Sequence, residues 1–342
     1  MLNRSLVLML TGLIALGLAS WLFAAEGPAA PKAPAKAAPK AEAPKASEDA
    51  DDGIQGLYVG TLGGAKAEAR VIGLKDKTYK VILTSGEGAG AAKVELGGKL
   101  ESGKVALSGD AGETATIADK KLAGEAKAGK FELTYTVPKS PTEGQKPPQG
   151  AIVLLPYEEG KPTTFAEWTN DTWVANPDGS MQKGKGDNMT KKPLGSIQLH
   201  LEFRCPYMPG ATGQARGNSG VYLMDRYEIQ VLDSFGLEPQ KNDCGAIYTQ
   251  IAPKVNACFP PLVWQTYDIT WHAPKFGPDG KKVKNVTVTV VLNGVKIHDN
   301  IEVAGPTGSS KNKPEVAEAP LRLQDHGNVV KFRNIWVKPL AE

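Results

Sequence analysis

The chain lacks several features that mark common protein classes. It has only three cysteines in 342 residues, and neither a Cys-x-x-Cys pair nor a His-x-x-x-His pair occurs. The net charge is only +3, and no basic cluster is interleaved with aromatic residues. The second half contains no run of ten or more residues with helical periodicity. These absences argue against a zinc site, a nucleic-acid-binding protein and a helical fold in that half.

Residues 1–25 have the pattern of a targeting segment. Arg4 precedes an apolar stretch, and the small residues Ala24 and Ala25 that end it suit cleavage. We favour a cleaved secretory signal. Because the stretch is about 20 residues long, an uncleaved anchor through residues 5–25 is the alternative. Both interpretations predict an exported protein, which is periplasmic or secreted if cleaved and otherwise membrane-anchored facing the periplasm.

Composition divides the remaining chain into four segments. Residues 26–52 are rich in Ala, Pro, Lys and Glu, which keeps a chain extended and unfolded, and this predicts a tether. Residues 53–137 hold short strand-like segments between glycine-rich turns, with few aromatics and no His or Cys. They predict a small β accessory domain without catalytic residues. A Pro-rich join, residues 138–150, leads to the largest segment, residues 151–340.

The segment 151–340 alternates apolar and polar residues with the period of β-strands. In residues 197–204 the odd positions are apolar and the even positions polar, among them Glu202 and Arg204. One face of this strand therefore carries a carboxylate and a guanidinium, which favours a binding surface. Asn293-Gly294 between two apolar runs predicts a hairpin. Together these patterns predict an all-β, two-sheet sandwich.

The cysteines suggest one covalent link. Cys244 and Cys258 flank a 13-residue segment rich in turn and loop residues. In an oxidising compartment we expect them to form a disulfide, whose loop closure is worth about 3 kcal/mol in the chain-entropy model. Cys205 would then be unpaired.

Eight motifs in the last segment resemble the 3-keto-disaccharide hydrolase domain family, in the family's order. They are 199–204 (LHLEFR), 217–222 (GNSGVY), 227–233 (YEIQVLD), 245–248 (GAIY), 264–268 (WQTYD), 292–295 (LNGV), 323–327 (LQDHG) and 332–335 (FRNI). The resemblance implies a concanavalin-A-like jelly roll, preceded here by the small β domain, whose concave sheet holds the ligand. It also implies cleavage of glycosides already oxidised to a ketone at C3.

A C3 ketone makes the proton on C2 acidic, so an elimination route needs a base and hydrogen-bond donors. Glu228 and Glu202 are the candidate bases, and we expect both on one concave face with Arg204 and Gln230. Arg204, Gln230 and His326 are candidates for polarising the ketone or holding sugar hydroxyls.

Further residues are candidates for binding the sugar. Asn218 lies in a glycine-flanked turn that can present its amide, and Tyr248 and Trp264 are candidate stacking platforms. Asp325 precedes His326 and is a candidate ligand, although it could instead cap a turn.

Three other functions stay open, and one of them is a structural envelope protein tethered through an uncleaved anchor. The spacing Glu228-x-Gln230-x-x-Asp233 resembles the signature of retaining glucanases, whose outer carboxylates are nucleophile and acid/base. Gln230 replaces the central Asp of that signature, however, and positions five apart face opposite sides unless a bulge intervenes. A jelly roll could also bind carbohydrate without turnover. The expected partner is an oligosaccharide or glycoside; no cofactor or metal is predicted, and a structural calcium ion is left open.

Overall fold

The computed structural model describes residues 51–86 and 92–341. The predicted leader and nearly all of the predicted tether lie outside these residues. Across the described part, no helix is long and apolar enough to cross a membrane. Helical structure in this part consists of short 3₁₀ turns, at Lys75–Lys77, Gly213–Ala215 and Gly308–Ser310. The all-β prediction is confirmed.

The N-terminal strands close into a barrel. They are β1 (Gly56–Leu62), β2 (Ala65–Leu74), β3 (Thr78–Ser85), β4 (Ala92–Glu101), β5 (Lys104–Ser108), β6 (Thr114–Ala118), β7 (Lys121–Ala126) and β8 (Gly129–Thr136). Each strand pairs with the next, and β8 pairs back with β1, so the sheet has no free edge. Alternate apolar residues such as Ala69, Val71 and Val81 fill the interior. The predicted small β domain is therefore a barrel, a closure that strand patterns alone did not indicate.

Gly60 is required where β1 meets β8. A Cβ built at this position would lie 2.1 Å from the carbonyl oxygen of Glu132. Any larger residue would push the two strands apart, so glycine at this position allows the barrel to close.

The second unit is a sandwich of two large sheets. Its strands are β9 (Ile152–Leu155), β10 (Val174–Ala175), β11 (Met181–Gln182), β12 (Asn188–Met189), β13 (Ile197–Arg204), β14 (Ser219–Leu223), β15 (Tyr227–Val231), β16 (Gln265–His272), β17 (Lys275–Phe276), β18 (Lys282–Lys284), β19 (Val286–Leu292), β20 (Val295–Val303), β21 (Arg322–Leu323) and β22 (Lys331–Pro339). One sheet has the order β10-β11-β22-β13-β16-β19-β20, with β9 also on β22. The other has the order β12-β21-β14-β15. Strands β17 and β18 form a separate ribbon.

Strand alternation builds one core between the two sheets. Leu201 and Phe203 of β13 and Ile229 and Val231 of β15 belong to the same buried apolar cluster. Within each strand, the residues that alternate with these core residues, including Glu202 on β13, therefore point away from this core. Each sheet has an outer face of its own, and both outer faces carry polar residues. This arrangement is consistent with the predicted jelly roll.

The barrel packs directly on the sandwich. Ile72 and Ile82 of the barrel form a small buried apolar cluster with Phe235. The Arg216 guanidinium donates a hydrogen bond to the carbonyl of Gly73, 3.2 Å away. The two folded parts are therefore held together by buried contacts as well as by the chain that joins them.

The predicted Pro-rich join, residues 138–150, lies over the outer face of the larger sheet, and we call it the strap. The hydroxyl of Thr142 donates to Asp268, at 2.6 Å, and the Gly144 amide donates to Glu202, at 2.6 Å. The side chains of Asn334 and Trp336 donate to the carbonyl of Gln145. These contacts explain why a segment rich in proline and glycine is ordered there.

Glu202 is the centre of this buried network. Its Oε2 accepts from Arg333 Nε at 2.7 Å, and its Oε1 accepts from Asn334 Nδ2 at 2.8 Å as well as from the strap. A bulge in β22, with Asn334 at φ 48°, lets the adjacent residues Arg333 and Asn334 both reach one carboxylate. Burial raises the pKa of Glu202, but hydrogen bonds from His200 and Asn334 and the charge of Arg333 outweigh it. The result is a pKa lowered to about 2.

The predicted Cys244–Cys258 disulfide is not formed in the structure. Cys205, Cys244 and Cys258 are all free and buried. Their side chains belong to the apolar core between the sheets rather than to an exposed loop, where thiols pack as small apolar groups. Burial raises the pKa of the Cys205 thiol well above its usual value, so this thiol is protonated at neutral pH.

Replacing Glu202 by Gln should destabilise the fold. The variant removes the closer of the two carboxylates paired with the buried Arg333 guanidinium and leaves Glu143, so the expected cost is about 1–3 kcal/mol. The pKa of Glu202 is lower in the folded than in the unfolded chain, so its carboxylate stabilises the fold above about pH 4.5. That contribution disappears as the pH falls towards 2, and the difference between variant and wild type should shrink with it.

Urea unfolding at pH 7 and pH 3 measures this difference. Glu318→Gln is the matched control, because Glu318 is exposed on the same sandwich. Equal free energies of unfolding for Glu202→Gln and wild type at pH 7 would show that the network is dispensable.

Candidate active site

The outer face of the smaller sheet carries a pocket of about 250 Å³. Strands β14, β15 and β21 form its floor, and loops cover its sides. Every lining residue except Gly308 has a polar group in its side chain, and the lining consists of Gln214, Asn218, Tyr222, Glu228, Gln230, Tyr248, Gly308, Ser309, Gln324 and His326. A larger cavity, of about 760 Å³, lies on the barrel, but none of its described lining residues is a comparable buried ionisable group. We therefore place the candidate site on the smaller sheet.

The register of the β14–β15 hairpin sets the positions of the floor residues. Tyr222 lies opposite Glu228 and Gly220 lies opposite Gln230. A Cβ at Gly220 would lie 2.5 Å from Glu228 Oε1. The glycine therefore leaves the space that the Glu228 carboxyl group occupies. Residues 217–222 (GNSGVY) thus contribute to the site in two ways. Gly220 leaves space for the Glu228 carboxyl group, and Tyr222 lines the pocket.

Two loops complete the walls by hydrogen bonding to the β15 backbone. The Tyr248 amide donates to the carbonyl of Glu228 at 3.0 Å, which places the Tyr248 ring beside the pocket. The Glu228 amide donates to Thr307 Oγ1 at 2.7 Å, which fixes the loop that carries Gly308. A Cβ at Gly308 would lie 3.2 Å from Glu228 Oε2, so a side chain here would crowd that oxygen.

Glu228 is the ionisable group at the centre of the pocket. It is 2% exposed, and its Oε2 has no hydrogen-bond partner among the described residues. Burial raises its pKa, while a hydrogen bond from Tyr222 and the charge of Arg322 partly oppose this and Asp187 adds to it. The resulting pKa is about 7. A carboxyl group with this pKa can both accept and release a proton near neutral pH.

Arg322 supports the floor without neutralising Glu228. Its guanidinium lies 3.6 Å from the centre of the Tyr222 ring, close enough for a cation–π interaction. It also forms ion pairs with Asp225, at 2.7 Å, and with Asp187. Because these two carboxylates balance its charge, Arg322 holds Tyr222 in place and leaves the pKa of Glu228 high.

Side-chain amides form the rest of the polar lining around Gln214. Gln214 Oε1 accepts from Gln230 Nε2 at 2.9 Å, from Asn218 Nδ2 at 3.3 Å and from the Tyr248 hydroxyl at 3.3 Å. One oxygen thus fixes three of the predicted binding residues. His326 is exposed and lies at the mouth of the pocket.

The structure separates the predicted site residues into two groups. Glu228, Gln230, Asn218, Tyr248 and His326 line the pocket. The remaining predicted residues, Glu202, Arg204, Trp264, Asp233 and Asp325, do not.

The expectation that Glu202 and Glu228 share a face is therefore wrong. They lie on different sheets, and both point away from the common core, so they are on opposite sides of the sandwich. Arg204 and Trp264 belong to the Glu202 side, where the Arg204 guanidinium lies 5.1 Å from the Trp264 ring centre. Arg333 lies 4.1 Å from the same ring, so Trp264 is a packing partner for cations rather than a sugar platform in the pocket.

The two remaining carboxylates have structural partners. Asp233 is buried and accepts from Arg216 Nε at 2.6 Å, which removes it from the pair that a retaining glucanase would need. Asp325 accepts from Lys183 Nζ and from the backbone amides of Gly186 and Gly327. Asp325 therefore stabilises a turn, which is the alternative role that the sequence indicated for this residue.

Sequence patterns missed half of the pocket. Tyr222 and Gln324 lie within recognised motifs and alternate with core residues, so the polar side of each strand could have identified them. Gln214 and Ser309 lie in loops without periodicity, and no sequence signal indicated them. Among the residues that the structure describes, no group of three or more His, Cys, Asp or Glu side chains is arranged to hold a metal ion.

Replacing Glu228 by Gln should stabilise the protein at alkaline pH. The folded-state pKa of about 7 lies above the usual 4.5, so the wild type loses stability as the pH rises from 4.5 to 7. A neutral amide avoids burying that charge, and the gain at pH 8 should reach up to about 3 kcal/mol. Below pH 4.5 this gain should vanish. Thermal or urea unfolding of both proteins at pH 4.5 and 8 measures it, and an equal difference at the two pH values would contradict the raised pKa.

Two solved structures are similar to part of this chain. A Parabacteroides distasonis protein provisionally assigned as a glycosyl hydrolase, with a structure at 2.13 Å, is 33% identical over 56% of this chain and 85% of its own, with a TM-score of 0.50. A second protein from the same organism with the same assignment, solved at 1.70 Å, is 21% identical over 56% of this chain and 95% of its own, with a TM-score of 0.41. No protein with a curated function matches the chain significantly.

The family model for the 3-keto-alpha-glucoside-1,2-lyase-like domain matches residues 150–338, which is more than half of the chain. This match covers β9 to β22 almost completely and includes every residue that lines the pocket. It confirms the resemblance identified from the sequence motifs. The chain belongs to the 3-keto-alpha-glucoside-1,2-lyase-like, or 3-keto-disaccharide hydrolase, domain family.

Proposed function

We propose that this carbohydrate-active protein cleaves 3-keto-glycosides in the Glu228 pocket, with Glu228 as the base. The observation that carries the proposal is a buried carboxyl group with a pKa of about 7 that lines a polar pocket and has one oxygen without a hydrogen-bond partner among the described residues. A purely structural carboxylate has its oxygens satisfied, as Glu202 has. Family membership supports the choice of substrate.

In the proposed reaction the Glu228 carboxylate takes the proton from C2 of the oxidised ring. The electron pair of the C2–H bond passes into the C3 ketone as an enolate and then forms the C1=C2 double bond. The C1–O bond to the leaving group breaks, and the leaving oxygen takes up a proton. Addition of water across the double bond would complete a net hydrolysis. The hydroxyl of Tyr222 is the candidate donor to the enolate oxygen, and His326 at the mouth is the candidate proton donor to the leaving oxygen.

Glu228→Gln should lower the turnover of a 3-keto-glucoside or of 3-keto-trehalose by about 10²- to 10⁴-fold, because the base is lost. Ligand binding should persist, since the amide keeps the shape of the carboxyl group. Wild-type kcat/KM should also fall about tenfold per pH unit below 7, as Glu228 becomes protonated. Released sugar is the readout, and unoxidised trehalose should not be cleaved.

Glu318→Gln is the control for this experiment, because it makes the same change at an exposed position. Near-wild-type turnover by Glu228→Gln would exclude Glu228 as the base and make His326 the next candidate. Loss of binding together with turnover would make Glu228 a recognition residue and favour a carbohydrate-binding module.

We also infer that the protein is exported. The inference rests on the apolar segment in residues 1–25 and on the Pro- and Ala-rich tether of residues 26–52. Cell fractionation with N-terminal sequencing should find the protein in the periplasm or medium, beginning at Ala25 or Glu26. Recovery of an intact leader in the membrane fraction would establish the anchored alternative, and recovery in the cytoplasm would contradict export.

A further inference from the structure

Three oxygens of the pocket residues are buried and have no hydrogen-bond donor among the described residues. They are Glu228 Oε2, Gln230 Oε1 and Gln324 Oε1. Gln230 is only 1% exposed. A buried acceptor without a donor is unfavourable, so a ligand that brings hydroxyl groups to these oxygens would relieve the cost.

The surrounding hydrogen bonds fix the direction in which the two amide oxygens point. Gln230 Nε2 lies near three acceptors, Gln214 Oε1 at 2.9 Å, Asn242 O at 3.4 Å and Asn218 Oδ1 at 3.5 Å. Reversing this amide would set oxygen against oxygen. Gln324 Nε2 donates to the Tyr222 hydroxyl at 3.2 Å, which leaves its Oε1 as the free acceptor. The pocket therefore offers acceptors whose orientation is set before a ligand binds.

The described lining of the pocket offers no lysine or arginine to an anionic ligand. None of the described residues that line it is Lys or Arg. The nearest guanidinium, that of Arg322, lies behind Tyr222 and is paired with Asp225 and Asp187. A carboxylate or phosphate on the sugar would therefore meet the Glu228 carboxylate and the amide oxygens without a lysine or arginine counter-ion.

The size of the pocket limits the ligand to about one ring. Its volume of about 250 Å³ is below the roughly 300 Å³ at which pockets for drug-sized ligands begin. His326 is exposed at the mouth, so the rest of a larger glycoside would extend past it into solvent.

We propose that the pocket selects a single, uncharged, terminal sugar ring, whose hydroxyl groups donate to the side-chain oxygens of Gln230 and Gln324. This inference rests on the proposed function, since it names the class of 3-keto-glycoside that the pocket accepts. Rings that carry a carboxylate at C6, as in uronides, or a phosphate are rejected. The group beyond the glycosidic bond lies outside the pocket and is not selected.

The test measures binding of two uncleavable probes to the wild-type full chain at pH 8. Both are 3-keto C-glucosides, in which carbon replaces the glycosidic oxygen so that no leaving group remains, and one carries a carboxylate at C6. Calorimetry should show that the neutral probe binds at least tenfold more tightly. Equal or tighter binding of the carboxylate probe would overturn the proposal.

A matched pair of variants tests the role of the amide oxygen. Gln324→Leu should weaken binding of the neutral probe at least tenfold. Gln198→Leu should leave it unchanged, because Gln198 is exposed on the other sheet. Unchanged binding by Gln324→Leu would contradict the role of this oxygen. The comparison of the two probes on the wild type needs no variant and decides selectivity even if Gln324→Leu misfolds.

The outcomes separate this inference from the proposed function. If wild type cleaves 3-keto-glycosides but does not prefer the neutral probe, only the selectivity inference is wrong. If the neutral probe is preferred but no 3-keto-glycoside is cleaved, the proposed catalytic function is wrong and the pocket is a binding site for neutral sugars.

Discussion

Strand alternation places polar side chains on both outer faces of the sandwich. The stability and the chemistry of each face depend on whether these side chains receive hydrogen bonds. Both sheets bury such residues under loops. A buried carboxylate that receives no hydrogen bonds destabilises the folded state. On the larger sheet Glu202 receives hydrogen bonds from a guanidinium, an amide side chain and the strap, and its pKa falls to about 2. On the smaller sheet Glu228 keeps one oxygen unpartnered, and its pKa rises to about 7. The same residue type thus stabilises one face and is suited to chemistry on the other.

The contrast also explains why the smaller sheet needs so many neutral groups. A buried carboxyl group keeps a high pKa only if nearby cations are already paired, as Arg322 is with Asp225 and Asp187. Amides and hydroxyls can then orient a ligand without changing the charge of the site. Gln214 is such a neutral group. Its single side-chain oxygen accepts hydrogen bonds from Gln230, Asn218 and Tyr248 and so positions all three.

The alternation in the sequence indicated which side chains point away from the core. It did not indicate on which outer face of the sandwich they lie. Glu202 and Glu228 occupy equivalent places in strands of the same alternating pattern, so period 2 predicts the same exposure for both. The assignment of each strand to a sheet depends on pairing between distant segments, which a single sequence does not contain. For the same reason the closure of β8 onto β1 could not be predicted. Loop residues such as Gln214 follow no period at all, and only the folded chain brings them to the pocket.

The strap has a consequence for how this protein can be divided and recombined. The family match begins at residue 150, yet the groups that complete the buried network of the larger sheet, from Ser140 to Gln145, lie just before it. The boundary of the homologous segment is therefore not the boundary of the folding unit. In this chain a fusion that exchanged the barrel together with its connecting segment would leave Glu202 and Asp268 without the donors that the strap supplies. An exchange of the barrel should therefore keep the strap with the sandwich and join the new segment on the barrel side of residue 140.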